Sequence, residues 1–116
     1  MKTPKRFEIW LVNWNPARGS EQEGIRPSLI IQVDSGNINQ NYPNTIVVTI
    51  STKGKSIPFH IKVSPSKENG LSSISYVKCE QILTISKERL TKKLGILEEQ
   101  YKEKVEEALK SVLNLE

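Results

Sequence analysis

Apolar residues fall in short runs of period two or less over the first two thirds of the chain, then switch to a helical period. FEIWLVNW (Phe7 to Trp14) is rich in β-branched and aromatic residues and predicts a strand. SLIIQV (Ser28 to Val33), apolar on successive residues, predicts a strand buried on both faces. TIVVTI (Thr45 to Ile50) predicts a third. IPFHIKV alternates, with Ile57, Phe59, Ile61 and Val63 on one side, and predicts a half-exposed fourth strand that tolerates Pro58 only near its end or on an edge. ISYVKCEQI, from Ile74, predicts a fifth. DSGNINQNYPN (Asp34 to Asn44), the basic STKGKS and the polar SPSKENG are turn and loop chemistry. Ser86 suits the N-cap of a short helix ending near Leu94, with Gly95 at its left-handed C-terminal position. From about Glu98 to Leu113, Tyr101, Val105, Ala108, Leu109 and Val112 recur at helical spacing. The expected architecture is mainly β with a C-terminal helix: a small, strongly bent antiparallel sheet or barrel.

A chain of 116 residues is expected to form one domain, 1–116, with a single modest core. With 36% apolar residues, 26% charged and a mean hydropathy of −0.44, it reads as a globular, cytoplasmic protein. No apolar run approaches the roughly 20 residues of a membrane span, and MKTPKRFEIW lacks the apolar stretch of a signal peptide. Cys79, the only cysteine, excludes an internal disulfide, and with one histidine, His60, it makes a poor set of ligands, so no metal site is expected. Net charge is +4. Residues 1–60 hold seven Lys/Arg against four Asp/Glu, and residues 61–116 hold ten against nine. The basic excess favours a polyanionic partner and lies mainly in the first half.

That half contains NWNPARGSEQEGIRP, from Asn13 to Pro27, with two prolines, two glycines, two arginines and two glutamates. Past Trp14, where the first hydrophobic run ends, nothing in it builds a core, so it is expected to hold a ligand. The segment NPARGSEQEGIRPSLII resembles the signature of the MazF/PemK family of toxin endoribonucleases. The similarity continues through EIWLVNWNP before it, TIVVTIST in mid-chain, VKCEQILTISKERLTKKLG later and the closing amphipathic helix. It covers most of the chain from about Phe7 to Leu113. The resemblance implies an SH3-like small barrel of about five to seven antiparallel strands, a homodimer and an acidic antitoxin partner. It also implies metal- and cofactor-independent cleavage of single-stranded RNA.

Without a metal, RNA is cut most simply by attack of the ribose 2′-OH on the adjacent phosphate, giving a 2′,3′-cyclic phosphate and a 5′-OH end. That needs a cation, hydrogen-bond donors on the phosphoryl oxygens and a route for protons. Arg26 leads into a strand, and its planar fork suits phosphate; the resemblance gives it the catalytic role. Its structural alternative is an ion pair with Glu21 or Glu23. Ser51 stands where the family usually has a catalytic threonine: the hydroxyl survives, but the methyl that restricts its rotamer is lost. Thr52 is the neighbouring alternative. The resemblance places RNA contacts at Ser20, Glu21, Gln22, Glu80 and Gln81, where carboxylates suit base edges, the 2′-OH or the orientation of Arg26 better than phosphate. Gly19 and Gly24 let the loop turn, and Lys53 and Lys55 suit phosphates. His60 is expected to be an outward surface residue, and Trp10 and Trp14 to pack rather than stack bases. Two positions depart from the family: Phe7 replaces a common glycine, and Leu83 a common basic residue. The alternatives to a ribonuclease are a gyrase poison of the CcdB type or a non-cleaving RNA-binding relative, neither of which needs Arg26 and Ser51 together. A DNA-binding barrel would be expected to carry more charge than +4.

Overall fold

The computed structural model describes residues 2–15 and 24–116, in the order β1 (Glu8–Asn13), β2 (Ile25–Ile30), α1 (Asp34–Ile38), β3 (Asn44–Ser51), β4 (His60–Val63), β5 (Ser75–Ser86), a 3-10 turn (Lys87–Arg89), β6 (Leu90–Ile96) and α2 (Glu99–Val112). The strands form one antiparallel sheet in the order β4-β5-β3-β2-β1-β6. No helix among the described residues is long and apolar enough to cross a membrane.

The connection from β5 to β6 requires the sheet to curl. The two strands are consecutive in sequence but four strand spacings apart in the sheet, about 19 Å if it were flat. From Ser86 to Leu90 the chain reaches at most about 14 Å. The sheet therefore closes into a barrel-like roll, within the expected range of strand number.

Curling gives two apolar clusters, because successive strand residues face opposite sides. One holds Ile9, Leu29, Val48, Ile50, Val63, Val77, Cys79 and Leu97, and α2 covers it with Val105 and Ala108. The other is enclosed by the roll itself: Trp10, Val12, Trp14, Ile30, Val47, Ile85 and Leu90 are all buried, with Leu83 packed against them. The two tryptophans thus pack as expected, and Leu83 is partly buried here instead of projecting a cation. Cys79 is fully buried, and burial pushes its thiol pKa up to about 12, leaving it unreactive.

Several elements differ from expectation. Ser86 does cap, its Oγ accepting from the Glu88 amide, but only for one 3-10 turn. The next residues form β6 instead of helix, and Gly95 is not left-handed. Leu and Lys favour helix, yet pairing with the outer edge of β1 and burial of Leu90 outweigh that weak preference. At Gly95 the requirement is space, since a Cβ would strike the Glu68 carbonyl. β2 begins at Ile25 and ends at Ile30, so Val33 is exposed. Asp34–Ile38 forms one helical turn, and the fourth strand starts only at His60, leaving Ile57 exposed. Buried Lys87 donates from Nζ to the carbonyls of Gly36, Asn37 and Asn39 at 2.9–3.2 Å, tying the turn after β5 to α1.

Phe7 explains one departure from the family pattern. Its φ is +72°, a region costly for residues with a Cβ and natural for glycine. Its amide donates to Ile30 O at 2.7 Å, its carbonyl accepts from Leu97, and its ring packs under the Arg6 guanidinium, 4.3 Å from the ring centre.

Candidate active site

The base of the charged loop is pinned at both ends. The Trp14 amide donates to Gly24 O, and the Gly24 amide donates to Asn15 Oδ1, with Gly24 at φ +80° as its role in the turn requires. Arg89, arriving from the 3-10 turn, donates to the carbonyls of Asn13 and Asn15 at 2.9 and 3.0 Å. Ser20, Glu21 and Gln22, like Gly19, lie outside the described residues.

Beyond this base the sheet register brings the proposed catalytic pair together. Ser28 pairs with Thr49, Leu29 with Val48 and Ile30 with Val47. Extending that register by two residues sets Arg26 opposite Ser51, past the point where Pro27 lacks an amide to continue the ladder. Both residues line one cleft of about 610 Å³. Leu11, Pro27, Ile50, Leu71 and Leu94 supply its apolar walls. Thr52 and the serines at 72, 73 and 75 add hydroxyls. Sequence reasoning passed over these serines; their only signal was the run LSSIS just ahead of β5.

Ser51 is not left loose by its missing methyl. Its Oγ accepts the Lys53 amide at 3.1 Å, a local turn that holds the oxygen and leaves the hydroxyl proton to donate outward. Thr52 and Lys53 are exposed on the loop that follows.

Glu80 and Gln81 sit where β5 bulges. Val48 pairs with Ile82 but the next residue, Thr49, pairs with Lys78, so Cys79, Glu80 and Gln81 have no partners on β3. Thr49 Oγ1 donates to Gln81 Oε1. His60 Nδ1 accepts the Lys55 amide at 3.0 Å, which puts the ring proton on Nε2, and Nε2 lies 2.9 Å from Glu80 Oε2. Burial pulls the Glu80 carboxyl up, but the hydrogen bond from His60 and the nearby Lys78 charge prevail and hold it below its ordinary value. His60 is therefore not the surface residue expected: its side chain is only 6% exposed and joins the Lys53–Lys55 loop to Glu80. The sequence showed its alternation on β4 but not the loop folding over it. Among the described residues, no group of three or more His, Cys, Asp or Glu side chains is placed to hold a metal ion.

The PemK-like, MazF-like toxin family of type II toxin–antitoxin systems matches residues 5–113. Endoribonuclease EndoA of Bacillus subtilis (strain 168) is 38% identical over 113 residues, covering 96% of this chain and 95% of the relative. Endoribonuclease MazF of Staphylococcus epidermidis is 38% identical over 114 residues, covering 96% and 92%. Among solved structures, an endoribonuclease in complex with its cognate antitoxin from Mycobacterial species superposes with a TM-score of 0.80 over 97% of each chain, at 24% identity.

Proposed function

The chain belongs to the PemK-like, MazF-like toxin family and is an endoribonuclease toxin of a toxin–antitoxin system; from that premise we propose that Arg26 and Ser51 carry its chemistry on single-stranded RNA. The observation that supports this reading is that Arg26 and Ser51 line one cleft, and that the β2–β3 register, continued two residues beyond its last pair, runs Arg26 opposite Ser51. The ribose 2′-oxygen attacks the neighbouring phosphorus and gives up its proton. The bond to the 5′-oxygen breaks and that oxygen gains a proton, leaving a 2′,3′-cyclic phosphate and a 5′-OH. Arg26 stabilises the charge gathering on the phosphoryl oxygens. Ser51, its Oγ fixed by the Lys53 amide, donates its proton to one of them. Ser20, Glu21, Gln22, Thr52, Lys53, Lys55, Glu80 and Gln81 hold the RNA around them. No metal or cofactor takes part.

The test is incubation with mixed-sequence RNA in EDTA and mapping of the ends. Cyclic phosphate and 5′-OH termini are expected; 5′-phosphate products, or none without a metal, would overturn the mechanism.

The same reading makes the chain one toxin domain that works in the cytoplasm as a homodimer and is silenced by an acidic antitoxin. Exposed Val33, Ile38, Ile57, Leu113 and Leu115 are apolar surface for a partner to cover, and the basic excess of residues 1–60 suits an acidic competitor of RNA. Light scattering should give a dimer, and an acidic antitoxin peptide should displace RNA. A stable monomer, or both ligands bound at Arg26 together, would refute this.

A further inference from the structure

The row that contains Arg26 and Ser51 does not stop at the cleft. Ser51 pairs with Tyr76 on β5, and Tyr76 pairs with Lys62 on β4. Directly opposed residues of antiparallel strands project to the same face, about 5 Å apart. Ser51, Tyr76 and Lys62 thus form one line across β3, β5 and β4, perpendicular to the strands, and the β2 register continued by two residues carries it on to Arg26. The adjacent line ends in Thr49, Lys78 and His60.

At the far end of this line lies a second cleft of about 400 Å³, within the range of roughly 300–1,000 Å³ typical of small-ligand sites. Tyr76, His60, Lys55 and Lys62 line it, together with Ile57 and Pro58. Tyr76 is half-buried, and Gly54 lies so close to its ring that a Cβ there would overlap the ring carbons. The loop therefore backs the aromatic ring while the ring still forms a wall of the cleft. Glu80 borders the platform, its carboxylate accepting a hydrogen bond from His60 Nε2 and lying near the Lys78 charge.

We propose that this cleft is a nucleotide subsite: Tyr76 stacks the base next along the RNA from the phosphate held at Arg26 and Ser51, and Lys62 and Lys55 hold that nucleotide's phosphate. The subsite rests on the endoribonuclease reading and adds to it the path of the strand, across the sheet instead of along it. An aromatic face accepts any base, so the subsite strengthens binding more than it selects sequence. The lysines provide cations on a different part of the surface from Leu83, where a basic residue of the family is missing.

The test begins once the cut site is mapped. A non-cleavable RNA, with deoxyribose at the cut position, carries 2-aminopurine at each flanking position in turn. Quenching is expected at one position in the wild type and in Tyr76→Phe, and is lost in Tyr76→Leu. Affinity for this RNA should fall roughly tenfold or more in Tyr76→Leu, raising KM with little change in kcat. Removing that nucleotide from a cleavable substrate should erase the difference between the two proteins. Lys62→Gln, an exposed substitution that leaves the ring in place, should weaken binding and reduce the salt slope by about one. Wild-type affinity in Tyr76→Leu, or an unchanged salt slope in Lys62→Gln, overturns the subsite while leaving the ribonuclease standing. A wild-type protein that cuts no RNA overturns both.

Discussion

One face of the sheet has two unlike halves. Toward β1 and β6 it is folded in on itself, and Trp10, Val12, Trp14, Ile30, Val47, Ile85 and Leu90 are sealed from water. Toward the ends of β3 and β4 and the start of β5, the same face carries Arg26, Ser51, Tyr76, Lys62, Lys78 and His60. The strands run through both halves, so strand identity does not separate core from site. The separation comes from curl: the short link from Ser86 to Leu90 pulls β6 round over one half, and the bulge at Cys79–Gln81 breaks pairing between them. Core positions on the closed half should therefore control stability, and positions on the open half should control catalysis.

The largest expected effect is in the closed half. Trp10→Ala removes a buried ring whose Nε1 donates to Glu8, and should cost about 3–5 kcal/mol of unfolding free energy by denaturant titration. A loss under about 1 kcal/mol would mean that this half is not a closed core. Arg26→Ala, on the open half, should do the converse. Cleavage should fall about 10²-fold or more while the fold stays intact, with Arg26→Lys rescuing poorly. A folded Arg26→Ala protein that cuts RNA at near the wild-type rate would remove Arg26 from the mechanism.

Ser51 sharpens the comparison by asking which hydroxyl at the boundary acts. Ser51→Ala should be impaired by about tenfold or more in kcat, since it loses a donor to developing charge. Ser51→Thr should equal or exceed wild type, and Thr52→Ala should matter less. If Thr52→Ala is the inactive variant, the register at the end of β3 assigns the wrong residue.

The smallest effect concerns the rim of the closed half. Burial pulls the Glu8 carboxyl upward, but hydrogen bonds from Lys93, Trp10 and the Lys5 amide, with the Lys93 charge, leave it below its ordinary value. A lowered folded pKa contributes stability above the unfolded carboxylate value, near 4.3, and that stability is lost as pH falls through the folded value. Glu8→Gln should cost roughly 1 kcal/mol at neutral pH and shrink toward nothing under acid. A deficit that stays constant with pH would show that the ionised carboxylate contributes nothing.

The sequence by itself determined which stretches bury side chains. Strands such as Phe7 to Trp14 and Thr45 to Ile50, and the closing helix, were legible because period two and period 3.6 are local properties of the chain. It also made Arg26, Ser51 and the loop recognisable through their resemblance to a family. It did not show β6, because Leu90 to Ile96 becomes a strand through an edge that β1 offers from across the molecule. It did not show that His60 is covered, because the Lys55 amide and Glu80 reach the ring from separate segments. Nor did it align Arg26, Ser51, Tyr76 and Lys62: their order depends on strand register, which backbone pairing between distant segments sets. Local pattern chooses the element, and only long-range pairing and closure of the sheet decide which elements meet.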